Sequence, residues 1–283
     1  MENKSQSINQ DSLEIKLEIK SIIKYLNIAK FVAINSGNFL KKNYKKIYSI
    51  EAKGVRDIVT EIDKKSENMI KSFFNKYTPE INFYGEETGG KINGLSWVVD
   101  PLDGTKNYVH KIPYFGVSIA LCNNLKPILA VINFPILKKL YWAIEGTGSY
   151  CKRGNKVIKL STSKNTDISK SFIATGFPHS KSHLVSDYVC ELEKILKNVS
   201  AVRRLGSAAY DLCSVAEGTF DAFWEYGLES WDMAAGALIA REAGAFLSTA
   251  SGEQWNIKSN SIFVSNRPLA TILLDLIKNS HKN

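Results

Sequence analysis

Cysteine is scarce in this chain, and the few cysteines present do not pair. Cys122, Cys151, Cys190 and Cys213 stand singly, with no Cys-x-x-Cys and no histidine series beside them. This excludes a zinc ribbon or a disulfide framework and leaves reduced, buried thiols as the expectation. Histidine is as sparse: His110, His179, His183 and His281 lack the spacing of a metal set or a nucleophile triad, so structural or exposed roles are expected of them. No stretch of about 18 apolar residues runs free of charge, and the opening MENKSQSINQDS lacks the apolar centre of a secretory signal. The expectation is therefore a cytoplasmic protein with no membrane partner. The turn Gly146-Thr147-Gly148 lacks the third glycine of a dinucleotide fingerprint, and no Walker loop occurs elsewhere, so nucleotide cofactors are not implied. There is neither an internal repeat nor a Pro- or Ser-rich linker.

The 283 residues are enough for a substantial core without staples, and 44% hydrophobic against 23% charged residues gives no compositional case for disorder. The net charge of +9 favours anionic partners. It discriminates poorly among phosphorylated metabolites, nucleic acid and membrane surfaces, because the lysines are scattered and no basic run is interleaved with aromatics.

Residues 1–12 read as a flexible tail. Apolar positions Ile22, Ile23, Leu26, Ala29, Ala33 and Phe39 recur at helical spacing over 21–42, and a second helix is expected from Thr60-Glu61-Ile62-Asp63 to Phe74, ahead of Pro79. Short β-branched and aromatic runs follow at 81–84, 97–99, 115–121, 128–134 and 140–144, with turns at Asn123-Asn124, 146–148 and Gly154-Asn155. Beyond Ser161 the pattern alternates: strands at 172–175, near Val202, 220–224 and 262–265, and helices at 183–197, 207–216, 231–243 and 268–279. The expected organisation is an N-terminal α+β half over 13–160 and a C-terminal α/β half over 161–283, forming one compact catalytic unit.

Three separated segments are expected to put carboxylates at loop positions immediately after strands or at helix starts: Gly85-Glu86-Glu87, Asp100-Pro101-Leu102-Asp103-Gly104-Thr105, and Trp231-Asp232. Asp100 closes the apolar run Trp97-Val98-Val99, so its charge needs a partner. Pro101 fixes the chain and Gly104 frees it to turn, which lets Asp100 and Asp103 converge. Carboxylates brought together repel unless a cation neutralises them, and hard Mg²⁺ takes such oxygen ligands. Asp232 can equally cap a helix, and so can Asp63.

These segments, GEE, WVVDPLDGTKNYVH and WDMAAGALIAREAG, resemble the three signatures of the inositol monophosphatase family in order and spacing. The stretch 57–63 resembles a fourth family segment, and Arg203-Arg204-Leu205-Gly206-Ser207-Ala208-Ala209 resembles the bacterial form of its substrate-binding segment. Together they span about 53–244. The resemblance implies an α+β fold, a layered αβαβα sandwich, with two or three Mg²⁺ ions. It implies Glu86, Asp100, Asp103 and Asp232 as metal ligands through carboxylates, and Leu102 through its backbone carbonyl. Asp63 and Thr105 correspond to the pair that orients the attacking water. Gly104, Thr105, Arg203, Gly206, Ser207, Ala208, Glu225 and Asp232 correspond to positions lining phosphate and polyol. Which of Arg203 and Arg204 points inward is open, and Lys53 beside Gly54 resembles a segment covering the site in relatives.

The implied activity is Mg-dependent hydrolysis of a small phosphorylated metabolite, foremost myo-inositol 1-phosphate. Fructose 1,6-bisphosphate, histidinol phosphate and 3′-phosphoadenosine 5′-phosphate are alternatives that the acidic motifs do not separate. A homodimer is implied as well. A role of another class, binding RNA or the transcription machinery, is suggested by some bacterial family members and by the basic charge.

Overall fold

In the computed structural model, which describes residues 19–46, 50–54, 57–178 and 182–278, the helical spacing near the start becomes α1 (Ile19–Asn43). A hairpin of β1 (Ile50–Gly54) and β2 (Asp57–Thr60) leads into α2 (Glu61–Tyr77). Then come β3 (Asn82–Gly85), β4 (Gly89–Gly90), β5 (Leu95–Asp103), the short α3 (Thr105–Val109), β6 (Gly116–Asn123), β7 (Lys126–Phe134), β8 (Lys139–Ile144), β9 (Gly148–Arg153) and β10 (Lys156–Lys159). The rest is β11 (Phe172–Thr175), α4 (Val185–Asn198), β12 (Ala201–Arg203), α5 (Ala208–Ala216), β13 (Ala222–Tyr226), α6 (Ser230–Glu242), β14 (Phe246–Ser248), β15 (Ser261–Ser265) and α7 (Arg267–Lys278). The tail expected over 1–12 and the positions of His179 and His281 lie outside the described residues, as does the side chain of Lys53.

Among the described residues the strands form one sheet in the order β10-β9-β8-β7-β6-β5-β3-β4 and another in the order β12-β11-β13-β15-β14, besides the β1–β2 hairpin. Alternation along the strands decides what each face meets. Trp97, Val99, Ile119, Leu121 and Val131 face α1 and α2, burying Leu26, Ala29, Val32, Ile70 and Phe74. Their neighbours Val98, Ala120, Ala130 and Ile132 face α5 and α6, whose other sides meet Phe223, Ile262 and Val264 of the second sheet. Ile173, Trp224 and Phe263 then pack on Tyr188 and Ile195 of α4 and on Leu269, Leu273 and Ile277 of α7. The layers thus run helix, sheet, helix, sheet, helix.

The middle layer explains the composition of α6. A helix between two sheets is apolar all round, and Met233 to Ala240 are buried without exception. Small residues let it approach α5: a Cβ at Gly236 would lie 2.5 Å from Leu212 Cδ1. One expectation about the thiols is corrected. Cys122, Cys151 and Cys213 are buried, but Cys190 is exposed on the outer side of α4.

Candidate active site

The acidic segment around Asp100 is not a loop after a strand, as expected, but the bulged end of one. β5 continues to Asp103, with Asp100 opposite Ser118, Asp103 opposite Gly116 and a register shift between them. Pro101 has no N–H to give the ladder, so the chain bulges there. The Leu102 N–H instead donates to Asp100 Oδ1 at 2.9 Å, and Ser66 Oγ of α2 donates to the Pro101 carbonyl at 3.0 Å. Gly104 turns the chain into α3 with φ 83°, and a Cβ there would meet the Tyr114 carbonyl oxygen at 2.8 Å, so only glycine fits.

Thr105 opens α3 with its hydroxyl 2.8 Å from Asp63 Oδ1 and 3.1 Å from the Leu102 carbonyl oxygen. Asp63, in the first turn of α2, is buried. Glu86 is held from two directions. Its N–H donates to the Val99 carbonyl at 3.2 Å, beside Asp100. The following N–H groups of Glu87 and Thr88 donate to the two carboxylate oxygens of buried Glu67 at 2.8 and 2.6 Å. Gly85 leaves room for this, since a Cβ there would lie 2.5 Å from Glu67 Cδ.

Asp232 sits in the third residue of α6 rather than at its N-cap, because the helix begins two residues earlier, and its Oδ2 accepts the Glu229 N–H at 2.8 Å. Asp103 accepts a short hydrogen bond from Ser207 Oγ, and Ser207 caps α5 by accepting the Tyr210 N–H at 3.2 Å. Asn107 ties this end of α5 to α3, donating to the Tyr114, Leu205 and Gly206 carbonyls at 2.7, 2.8 and 3.2 Å.

The electrostatics record how crowded these acids are. Burial holds Asp100 well above the usual carboxylate range, and the carboxylates of Glu86, Asp103 and Asp232 push the same way. Burial raises Asp103 to about 6 against the opposing pull of the Ser207 hydroxyl and the Ala208 and Ala209 N–H groups. Asp232 is raised well above its ordinary value by burial and then by Glu86. A donor set of hard oxygens whose mutual repulsion a cation would relieve fits a divalent metal. Among the described residues no three such side chains are gathered tightly enough to hold one as they stand. Asp100, Asp103 and Asp232 each accept the local N–H or hydroxyl hydrogen bond just given and keep further oxygen lone pairs for a cation.

Beside the acids lies a pocket of about 150 Å³ lined by Asp103, Asp232, Gly206, Ser207, Ala208 and Glu225, with Arg204, Asp211, Leu228, Thr175 and Gly176 completing it. Burial pushes Glu225 up to about 8 although the Arg204 guanidinium opposes it. Arg203 is a correction. Both arginines are exposed, but Arg203 donates to the Val202 carbonyl and lies 4.7 Å over the Phe172 ring, whereas Arg204 lines the pocket. Along an extended segment successive side chains point to opposite sides, so only one of the two arginines can face inward. Sequence reasoning missed Glu67 and Asp211, which carry no local signal beyond a polar residue on a helix, and gave no role to Asn107 although it lies within a signature segment.

A model described as the inositol monophosphatase family matches residues 23–282. The chain belongs to this family. It is 36% identical over 264 residues to a "Fructose-1,6-bisphosphatase/inositol-1-monophosphatase" of Aquifex aeolicus, covering 92% of this chain and 97% of that one. It is 35% identical to the "Nus factor SuhB" of Haemophilus influenzae, over 89% of this chain and 95% of that one. Among solved structures, the extragenic suppressor protein suhB of Bartonella henselae superposes with a TM-score of 0.85 at 34% identity, covering 90% and 98% of the two chains. This inositol monophosphatase family member is a phosphoric monoester hydrolase of a metal-dependent family with the layered α+β sandwich. No helix among its described residues is long and apolar enough to cross a membrane.

Proposed function

We propose that this family member hydrolyses myo-inositol 1-phosphate or a closely similar polyol phosphate with Mg²⁺, in the cytoplasm. The observation that carries the reading is the juxtaposition of Asp100, Asp103, Asp232 and Glu86, in which Glu86 and Asp103 add to burial in raising the proton affinity of Asp100 and Asp232, with a pocket that ends on Glu225. Glu86, Asp100, Asp103 and Asp232 hold the metal, joined by the Leu102 carbonyl. When bound, Mg²⁺ supplies the positive charge that offsets these carboxylates and the Lewis acidity that stabilises charge on the phosphoryl oxygens.

The chain's own part is positioning. Thr105 directs its hydrogen toward Asp63 and the Leu102 carbonyl, which leaves its oxygen lone pairs to accept a hydrogen bond from the attacking water. Water attacks phosphorus and the bond to the alcohol oxygen breaks, giving inorganic phosphate and the free alcohol. Gly104 and Thr105 bring backbone N–H groups to the phosphate, while Gly206, Ser207, Ala208 and Glu225 border the alcohol.

A second reading, association with the transcription machinery, rests on the name of the Haemophilus relative and on the net charge of +9. It is compatible with the first, as is a homodimer, and a steep salt dependence of RNA binding is its signature. The test of the main reading is magnesium-dependent phosphate release over myo-inositol 1-phosphate, fructose 1,6-bisphosphate, histidinol phosphate and 3′-phosphoadenosine 5′-phosphate. The inositol ester is expected to have the highest kcat/KM. Preference for one of the other three overturns the substrate, and no release from any ester overturns the enzyme.

A further inference from the structure

The pocket holds more acid than the phosphoryl chemistry uses. Asp211, in the first turn of α5, is 1% exposed, lines the pocket, and has an Oδ1 with no hydrogen-bond partner among the described residues. A buried carboxyl oxygen left without a partner costs stability and is seldom retained unless something binds it. The Asp211 backbone is not the reason for its placement, because its N–H already donates to the Ser207 carbonyl at 3.0 Å.

Its surroundings narrow the partner. Glu225 on β13 and Asp103 act on it as like charges, and Arg204 is the opposing cation. The Glu225 carboxyl lies against the backbone of Gly176, where a Cβ would lie 1.8 Å from its Cδ. Asp211 and Glu225 thus set two carboxyl groups on one small wall. They suit neutral hydroxyls, which can donate to one carboxyl and accept from another. The pocket's volume of about 150 Å³ fits a small alcohol rather than a nucleoside.

We infer that Asp211 is a specificity-determining residue that hydrogen-bonds a hydroxyl of the substrate's alcohol, so that the site selects polyhydroxylated leaving groups over hydroxyl-free ones. This rests on the phosphomonoesterase reading of the same site. Asp103 and Asp232 belong to the reacting phosphoryl group, and Asp211 with Glu225 to the alcohol it leaves behind.

The experiment compares kcat/KM for myo-inositol 1-phosphate with that for phenyl phosphate, whose alcohol has no other hydroxyl, in wild-type protein, Asp211→Asn and Asp211→Ala, all with Mg²⁺. The ratio of the two values is expected to fall by about 10- to 100-fold in Asp211→Ala, the loss that follows from removing one buried hydrogen bond. Asp211→Asn, which keeps the shape and one acceptor, falls less and carries the test if the alanine variant does not fold. Equal loss on both esters marks Asp211 as structural and overturns the inference, as does a ratio within about 2-fold of wild type. Wild-type protein that hydrolyses neither ester overturns the phosphatase reading and the inference with it, whereas active wild type with an unchanged ratio overturns the inference alone.

Discussion

Glu67 has the most to teach at the scale of single residues. In the sequence it is one more acidic residue on a helix, and the default for such a residue is solvent. In the fold it is fully buried and spends both oxygens on the N–H groups that follow Glu86. Charged acceptors of this kind are worth about 1.5–3 kcal/mol each, and residues that fix a metal ligand typically matter by about 10- to 100-fold in affinity. Glu67→Ala is therefore expected to weaken Mg²⁺ binding by about 10-fold or more, with Glu67→Gln losing less because one acceptor survives. Titration calorimetry reads this directly, and unchanged affinity in Glu67→Ala would remove Glu67 from the site. The carboxylates themselves were visible in the sequence because their motifs are contiguous. Glu67 and Asp211 were not, and the choice between Arg203 and Arg204 stayed open, because burial and side-chain direction are decided by which elements pack together.

Elements show the same division. The long helix α1 was legible from its period, α2 from its capping residues and the stop at Pro79, and the central strands β6 to β8 from runs of β-branched and aromatic residues between turns. β9 and β10 were not: Lys152 and Arg153 break the alternation of β9, and Lys156 and Lys159 that of the edge strand β10, where charged residues are common. What docks this edge to the middle layer is Glu217, the C-cap of α5. Its carboxylate takes Tyr141 Oη at 2.6 Å and Lys139 Nζ at 2.9 Å from β8, and Arg153 from β9. Burial alone would raise its pKa, but the Tyr141 hydroxyl and the two cations outweigh it and hold the carboxyl below its ordinary 4.5. A depressed folded-state pKa gives stability that is complete above the unfolded value and lost as pH falls through the folded one. Glu217→Gln should thus cost roughly 2–3 kcal/mol at pH 7, below the range for a fully buried pair because Arg153 is partly exposed. The gap between its melting temperature and that of wild type should close on acidification below about pH 4.5. A gap that persists unchanged at acid pH would mean that the carboxylate charge is not what holds the two layers.

At the scale of the whole molecule, the sheet of β3 to β10 comes from residues 82–159 and the sheet of β11 to β15 from 172–265, and the candidate site draws on both. Asp100 and Asp103 end a strand of the first, and Glu225 lies in the second. Ser207 and Asp232 stand at the starts of α5 and α6, the helices between the two sheets. Sequence alternation indicated the two kinds of layer, but not that buried α5 and α6 aim their first turns at the bulge of β5. That convergence is the centre of the account, and it is tested most directly by Asp103→Asn. Mg²⁺ affinity by calorimetry and magnesium-dependent phosphate release should be measured together on wild type and variant, with melting curves to confirm folding. The account predicts a folded variant with weakened Mg²⁺ binding and turnover reduced by at least about 100-fold. A folded variant that binds Mg²⁺ and releases phosphate as wild type does would contradict it.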